Sequence, residues 1–355
     1  MSNIKYFFKN HKSLPIDIFL NNVLYDKNYG YYTKNFPFGK KGDFITSPLV
    51  SVLFSEILAI WIVSFWQKLN SPKKFNIVEL GPGNGEMSKT MINVFKKFPK
   101  FNSSTSLYLY EKSEKLKKIQ KKNISNSKVV WLKKFSEIKK GPILFIGNEF
   151  FDSIPIKQFI KEKQVIYQRY IKLNKDNKIE KINKKISKVD ERELNKFKTL
   201  KSKKFIEYPK LGLNICKNII KEISKRNGGL LLIDYGYYKK QFNYNTLQSI
   251  KFHKKNKIFK NLGTADITYL VNFKLLEEYF TLKKLKVKKV VSQSFFLKKM
   301  GIIERANMIA NKMSFKEKSN LYSRIKRLLD DDKMGDLFKV IFAYKSKKNN
   351  FLGFD

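Results

Sequence analysis

Phe75-Asn76-Ile77-Val78-Glu79-Leu80-Gly81-Pro82-Gly83-Asn84-Gly85 is a short apolar run that breaks into glycines, and a helical pattern resumes at Glu86 and runs to about Lys97. A buried strand, a glycine turn and a helix form the first step of a doubly wound α/β sheet. Glycine lets a ligand approach the backbone closely, and the helix start offers N–H groups to it. The spacing of Gly81, Gly83 and Gly85 is G-x-G-x-G, not the G-x-G-x-x-G of dinucleotide sites, and no Lys-Ser/Thr pair follows as in a Walker loop. Glu79 precedes the turn, where a carboxylate repels pyrophosphate but suits a ligand carrying positive charge.

A second apolar run, Leu107-Tyr108-Leu109-Tyr110, ends in Glu111. An acid at the tip of the second strand can accept both hydroxyls of a ribose. The turn, the acid before it and the acid at the next strand end together describe a pocket for S-adenosylmethionine (SAM). The alternative at this point is a glycine turn of some other α/β protein.

Composition narrows the remaining classes. The chain has 355 residues, of which 42% are hydrophobic and 15% aromatic, enough to bury one large core or two moderate ones. Cys216 is the single cysteine, so a disulfide framework and a cysteine metal cluster are excluded, and a reducing compartment is expected. With only His11 and His253, no histidine metal site or histidine-activated nucleophile is expected. The net charge of +44 admits a nucleic-acid or anionic-membrane partner. Only 6 of the 74 basic residues are Arg, however, and the lysines are spread along the whole chain. Forked phosphate and base contacts favour Arg, so the composition reads as drift toward AT-rich codons and nucleic acid is disfavoured as a partner. The most apolar stretch, Ile57 to Trp66, is about half the length a bilayer needs. No apolar signal region and no Arg-bearing presequence is read at the N-terminus.

Along the chain, Ile16, Phe19, Leu20, Val23 and Leu24 predict a helix within 16–30. The loop from Phe36 to Pro48 carries Gly42-Asp43. Asp43 is either a ligand-contacting acid or an ordinary turn residue. Ser47 and Pro48 are placed to open a helix reaching Leu69. Residues 1–72 would then be a helical lid. After a helix over 113–122, strands are predicted at 128–132 and 142–147. The latter runs into Asn148-Glu149-Phe150-Phe151-Asp152. Functional groups of a doubly wound sheet gather beyond the carboxyl ends of its strands. Glu149 and Asp152 there suit a cationic group such as a guanidinium, whereas Asn148 and Asp152 could instead cap a helix. Residues 161–205 read as an inserted arm: a hairpin near Val165-Ile166-Tyr167, then a charged, mobile surface segment over 179–204. A helix over 211–225, a fifth strand ending at Asp234-Tyr235-Gly236-Tyr237, a mixed loop over 245–268 and a helix over 272–280 follow. An antiparallel closing pair, 285–291 and 337–344, is separated by helix over 300–329. The methyltransferase domain would comprise 73–160 and 206–355.

Taken together, Gly30-Tyr31-Tyr32, Gly42-Asp43-Phe44-Ile45-Thr46-Ser47-Pro48, Asn148-Glu149-Phe150-Phe151-Asp152, Asp234-Tyr235-Gly236-Tyr237, Ala265-Asp266-Ile267-Thr268 and Met334-Gly335-Asp336-Leu337-Phe338-Lys339 resemble the MidA-like family of SAM-dependent methyltransferases. The likeness runs from about Pro15 to Tyr344. It implies a Rossmann-like class I methyltransferase sheet with an N-terminal helical extension and an inserted arm. It implies that Gly81, Gly83, Gly85 and Glu111 hold SAM, with Gly42 and Asp43 near its methionine end; Glu79 and Asn148 join the cofactor set. It implies symmetric dimethylation of an arginine in the 49-kDa-type subunit of NADH:quinone oxidoreductase (complex I) during assembly. Glu149 and Asp152 would bind the guanidinium, Asp43 would assist, and no metal would take part. Leu49 departs from the family's pattern by replacing an acid after the Ser-Pro pair, and Asp336 replaces a Glu. A bacterial cytoplasm is expected, or the matrix in a mitochondrial member, and a homodimer is one state open to the chain. The rival readings are a methyltransferase acting on RNA or a small molecule, and a non-catalytic assembly chaperone. Against the first, strand four lacks the Asn/Asp-Pro-Pro-aromatic run of enzymes that methylate nucleic-acid amines.

Overall fold

The computed structural model describes residues 4–35, 37, 39, 42, 43, 46–124, 128–239 and 242–355. The chain divides into two compact units: 45–150, 218–236 and 280–355 form one, and 1–44, 151–217 and 237–279 form the other. These limits cross the expected ones, because 45–72 belongs with the sheet and not with the N-terminal 44 residues.

The first unit is built on a sheet that includes the strands β1 (Phe75–Leu80), β2 (Thr105–Tyr110), β3 (Val129–Leu132), β4 (Ile143–Asn148), β5 (Gly228–Tyr237), β6 (Lys286–Val287), β7 (Val291–Ser292) and β8 (Phe338–Lys345). Their order is β6-β8-β5-β4-β1-β2-β3, with β7 also on β8. Strands β1 to β5 are mutually parallel, and β8 runs antiparallel to β5, β6 and β7. Ile143–Ile146 and Leu230–Ile233 are continuously buried, as strands covered on both faces must be. The strand order reverses between β1 and β4, which opens a crevice beyond their carboxyl ends.

Helix α1 (Val52–Lys68) is buried around most of its circumference, and its Trp61 and Phe65 rings meet Phe342 of β8 edge-on, with centroids 5.0 and 5.4 Å apart. It does not begin at Ser47, as expected. Ser47–Val50 is a separate turn, Ser51 is extended, and the Ser51 hydroxyl caps α1 by accepting the Leu53 N–H. Helix α2 (Glu86–Phe95) packs on α1, and α3 (Glu114–Asn123) is capped by Ser113. The helix expected over 300–329 is two, α5 (Ile302–Ala310) and α6 (Phe315–Leu329), and a further helix, α4 (Gln293–Lys299), precedes them. Gly301, at φ +80°, and the Ser314–Glu317 capping box make the two breaks. The expected strand over 285–291 is reduced to the two short pieces β6 and β7.

Gly228 opens β5 at φ +129°, and a Cβ there would lie 1.7 Å from the Ile143 carbonyl oxygen of β4. Gly228→Ala is therefore expected to lower stability by at least ~2 kcal/mol, through strain and forced separation of two central strands. Thermal unfolding monitored by circular dichroism checks it; an unchanged Tm would contradict this packing.

The second unit contains the helix Ile16–Tyr25 and a five-stranded antiparallel sheet of Ser13–Pro15, Lys157–Glu162, Val165–Leu173, Ile179–Lys185 and Phe205–Tyr208. The hairpin read near Val165 is present. The charged stretch after it is not an irregular surface segment: Ile179–Lys185 pairs along Val165–Leu173, and the short helices Lys188–Leu194 and Lys198–Lys201 follow. Backbone pairing, which carries no compositional signal, makes that strand. The mixed loop contains three paired strands, Gln248–Lys251, Lys254–Asn256 and Asp266–Thr268.

Candidate functional site

Each predicted site residue sits in one of the two units. Glu79, Gly81, Gly83, Gly85, Glu111, Asn148 and Glu149 belong to the sheet unit; Gly42, Asp43 and Asp152 belong to the other. Of the Phe36–Pro48 loop, Phe36, Phe38, Lys40, Lys41, Phe44 and Ile45 lie outside the described residues.

In the sheet unit the glycine turn joins β1 to α2. Gly81, Gly83 and Gly85 have φ of +62°, +56° and +87°, which other residues adopt only with strain. A Cβ on Gly81 would sit 2.9 Å from the Phe150 ring, and one on Gly85 would sit 2.8 Å from Ile124. The turn therefore lies against the tip of β4. The Gly81 N–H donates to the Tyr110 carbonyl at 3.0 Å, which ties the turn to the tip of β2.

Glu111 follows β2. Its carboxylate accepts the Ser113 N–H at 2.8 Å through Oε1 and the Gln120 Nε2–H at 3.3 Å through Oε2. Burial raises its pKa, and these donors pull it back. Each carboxylate oxygen can accept more than one hydrogen bond, so acceptor capacity remains for a diol. Glu79 lies at the end of β1, just before the turn. It is 2% exposed, and its carboxylate accepts the Ser88 hydroxyl of α2. Burial, aided by the charge of Glu111, pushes its pKa up to about 7. Its visible task is to bind the first turn of α2 to β1.

At the end of β4, Asn148 is 8% exposed and its Oδ1 makes no hydrogen bond. Its Nδ2 donates to Glu149 Oε1 at 3.1 Å. The same Oε1 accepts the Ser47 N–H at 2.9 Å. Glu149 has φ +49°, a strained backbone for a side chain of its kind. No helix begins at Asn148, which argues against the capping alternative for it. A buried amide oxygen without a donor, beside strained backbone at a strand tip, fits an N–H-bearing ligand, as does the α-ammonium end of SAM. When bound, that cofactor supplies an electrophilic methyl group on a sulfonium. The glycine turn, Glu111 and Asn148 are the residues that would hold it.

The second unit carries a nest of acids and phenols. The Tyr31 hydroxyl donates to Asp43 at 2.5 Å, and the Phe252 N–H donates to the same carboxylate at 2.5 Å. The Tyr32 hydroxyl donates to Asp266 at 2.8 Å, and the Tyr32 ring stacks on Tyr25 at 5.2 Å. Asp266 is 2% exposed. Burial raises its pKa to about 8, the charges of Asp152 and Asp43 add to this, and the Tyr32 hydrogen bond opposes it. Thus Asp43, Asp152 and Asp266 interact within one unit. The sequence pointed to the first two and missed the third, although Ala265-Asp266-Ile267-Thr268 had stood out as a motif.

The sign of the resulting pH dependence is fixed. Asp266 titrates near 8 when folded against a reference of 3.8, so the folded state holds its proton longer. Its contribution to stability is present below pH ~4 and is lost as pH rises through about 8. Asp266→Asn is expected to flatten the fall of Tm across that window. A Tm profile parallel to the wild type's would contradict the burial of this carboxyl.

The sheet order, the glycine turn after β1 and the acid after β2 define a class I SAM-dependent methyltransferase. The chain belongs to the family whose description reads "Putative S-adenosyl-L-methionine-dependent methyltransferase", which matches residues 57–291. Protein arginine methyltransferase NDUFAF7, mitochondrial, of Xenopus laevis is 28% identical over 368 residues, spanning 94% of this chain and 82% of its own. The Homo sapiens protein of that name is 26% identical over 372 residues, with 95% and 81% covered. A Burkholderia thailandensis protein crystallised with S-adenosyl-homocysteine has the same fold: TM-score 0.81 at 19% identity, covering 99% of this chain and 91% of that one. The protein is thus a SAM-dependent methyltransferase. Among the described residues no helix is long and apolar enough to cross a membrane.

Proposed function

We propose that the protein transfers the methyl group of SAM to a guanidino nitrogen of a protein arginine. The acceptor is the 49-kDa-type subunit of NADH:quinone oxidoreductase during its assembly, and the product is the symmetric dimethylarginine. The observation that carries the arginine reading is the buried grouping of Asp43, Asp152 and Asp266 in one unit, where the charges of Asp152 and Asp43 help to raise the pKa of Asp266 and a cationic group would be favoured. A planar guanidinium matches carboxylates in paired hydrogen bonds. The curated relatives are named as protein arginine methyltransferases, which supports the same class. In this reading Glu149 and Asp152 bind and orient the guanidinium, Asp43 assists, and Gly42 serves the methionine end of the cofactor. The sulfonium methyl is electrophilic already, so alignment is the main task of these residues. The enzyme works in a reducing compartment, a bacterial cytoplasm or a mitochondrial matrix.

The test is incubation with methyl-labelled SAM and three acceptors: the purified 49-kDa-type subunit, total RNA, and a small-molecule extract. Symmetric dimethylarginine in the subunit, mapped by mass spectrometry, is expected. Label in RNA or in the extract, with none in the subunit, would overturn the acceptor.

A further inference from the structure

Gln120 of α3 is completely buried, although five lysines share its helix. Its inner-face companion is Leu116, one helical turn back. All its polar atoms are engaged. The Trp131 indole N–H of β3 donates to Gln120 Oε1 at 2.9 Å. Gln120 Nε2 donates to the Gly83 carbonyl at 2.8 Å and to Glu111 Oε2 at 3.3 Å. An indole nitrogen can only donate, and the carbonyl and carboxylate oxygens can only accept. The amide therefore has one orientation that satisfies all three groups. Turned over, it would set its N–H₂ against the indole N–H and its oxygen against two acceptors.

We propose that Gln120, with its amide oriented by Trp131, is the positioning residue that locks the ribose-binding acid Glu111 to the glycine turn at Gly83. The proposal rests on Glu111 being the ribose acceptor. A single side chain then sets the distance between the two parts of the cofactor cradle. Without it, Glu111 keeps one fixed oxygen, through Ser113, and can rotate its other away from the diol. The effect belongs to the ribose end of the ligand, and a general loosening of the fold would not be confined there.

The experiment is calorimetric titration of the full chain with S-adenosyl-homocysteine and with its analogue lacking both ribose hydroxyls. Gln120→Leu is expected to weaken S-adenosyl-homocysteine about 10- to 100-fold, the range for losing a charge-assisted hydrogen bond that orients a second one. The same substitution should weaken the analogue at least fivefold less. Trp131→Phe, which frees the amide to turn, is expected to weaken S-adenosyl-homocysteine by roughly three- to tenfold. Gln120→Glu keeps the indole bond but faces two acceptors with a third, so it should be at least as damaging as Gln120→Leu and covers the case in which that variant does not fold. Equal losses for the two ligands, or no loss, would overturn the proposal. Glu111→Ala is the control for its foundation. If that variant binds S-adenosyl-homocysteine normally, the ribose assignment itself is wrong, a result distinct from an effect of Glu111 without one of Gln120.

Discussion

Glu111→Ala should lose SAM binding by a factor of about 100 or more while the protein stays folded. The reason lies in the charge and fixed place of that carboxylate. Two donors of the chain hold it at the tip of β2, next to the turn that follows β1. A ribose diol would add two hydrogen bonds to an ionised acceptor, each worth ~1.5–3 kcal/mol in such a setting. Losing both removes ~3–6 kcal/mol, and each 1.4 kcal/mol is a factor of ten. Alanine also leaves the Ser113 N–H and the Gln120 amide without their acceptor, so a modest fall in Tm accompanies the loss. Calorimetric titration with SAM decides it. Saturable 1:1 binding in the wild type and none in the variant supports the assignment; unchanged affinity removes Glu111 from the site.

Glu149→Gln should cut methyl transfer by at least about a hundredfold and change SAM affinity by less than about threefold. The substitution is nearly isosteric. An amide oxygen can still accept the Ser47 N–H and the Asn148 amide, so the local backbone and the Ser47 turn should stay in place. What disappears is the negative charge, and a neutral amide neither attracts a guanidinium nor holds its nitrogen in line with comparable strength. Single-turnover methylation at saturating SAM separates the two effects. A variant that methylates at the wild-type rate would reduce Glu149 to a structural partner of Ser47, and the guanidinium would be left to Asp152 and Asp43.

The fold was legible in the sequence wherever local pattern determines local structure. The mainly apolar runs at 75–80, 143–146 and 230–233 became the central parallel strands, and the glycines after the first run marked a turn made with positive φ. Glu111, Asn148 and Glu149 could be singled out because they lie at strand ends, and the topology of a parallel sheet puts strand ends at its functional edge. Ser51 as the cap of α1 was missed because Ser47-Pro48 offered an equally good signal four residues earlier. The strand Ile179–Lys185 was missed because its composition is that of a surface segment and its partner strand alone makes it.

Other features were decided only by tertiary contact. Glu79 looked like a ligand-binding acid. Its carboxylate also accepts the Ser88 hydroxyl, because helix α2 folds back over the strand that precedes it. Asp266 lies more than 200 residues from Tyr32 and Asp43, and nothing local in the sequence links them. Gln120 was not singled out in the sequence, although a Gln four residues after Leu116 on a lysine-rich helix was the signal to follow. Its bonds reach Gly83 and Trp131, residues on two other elements. By itself, then, the sequence determined the sheet, the glycine turn and the acids at strand ends, since periodicity and backbone sterics act over a few residues. The tertiary structure decided which buried polar groups meet, because every such group must find a partner and its partners come from distant parts of the chain.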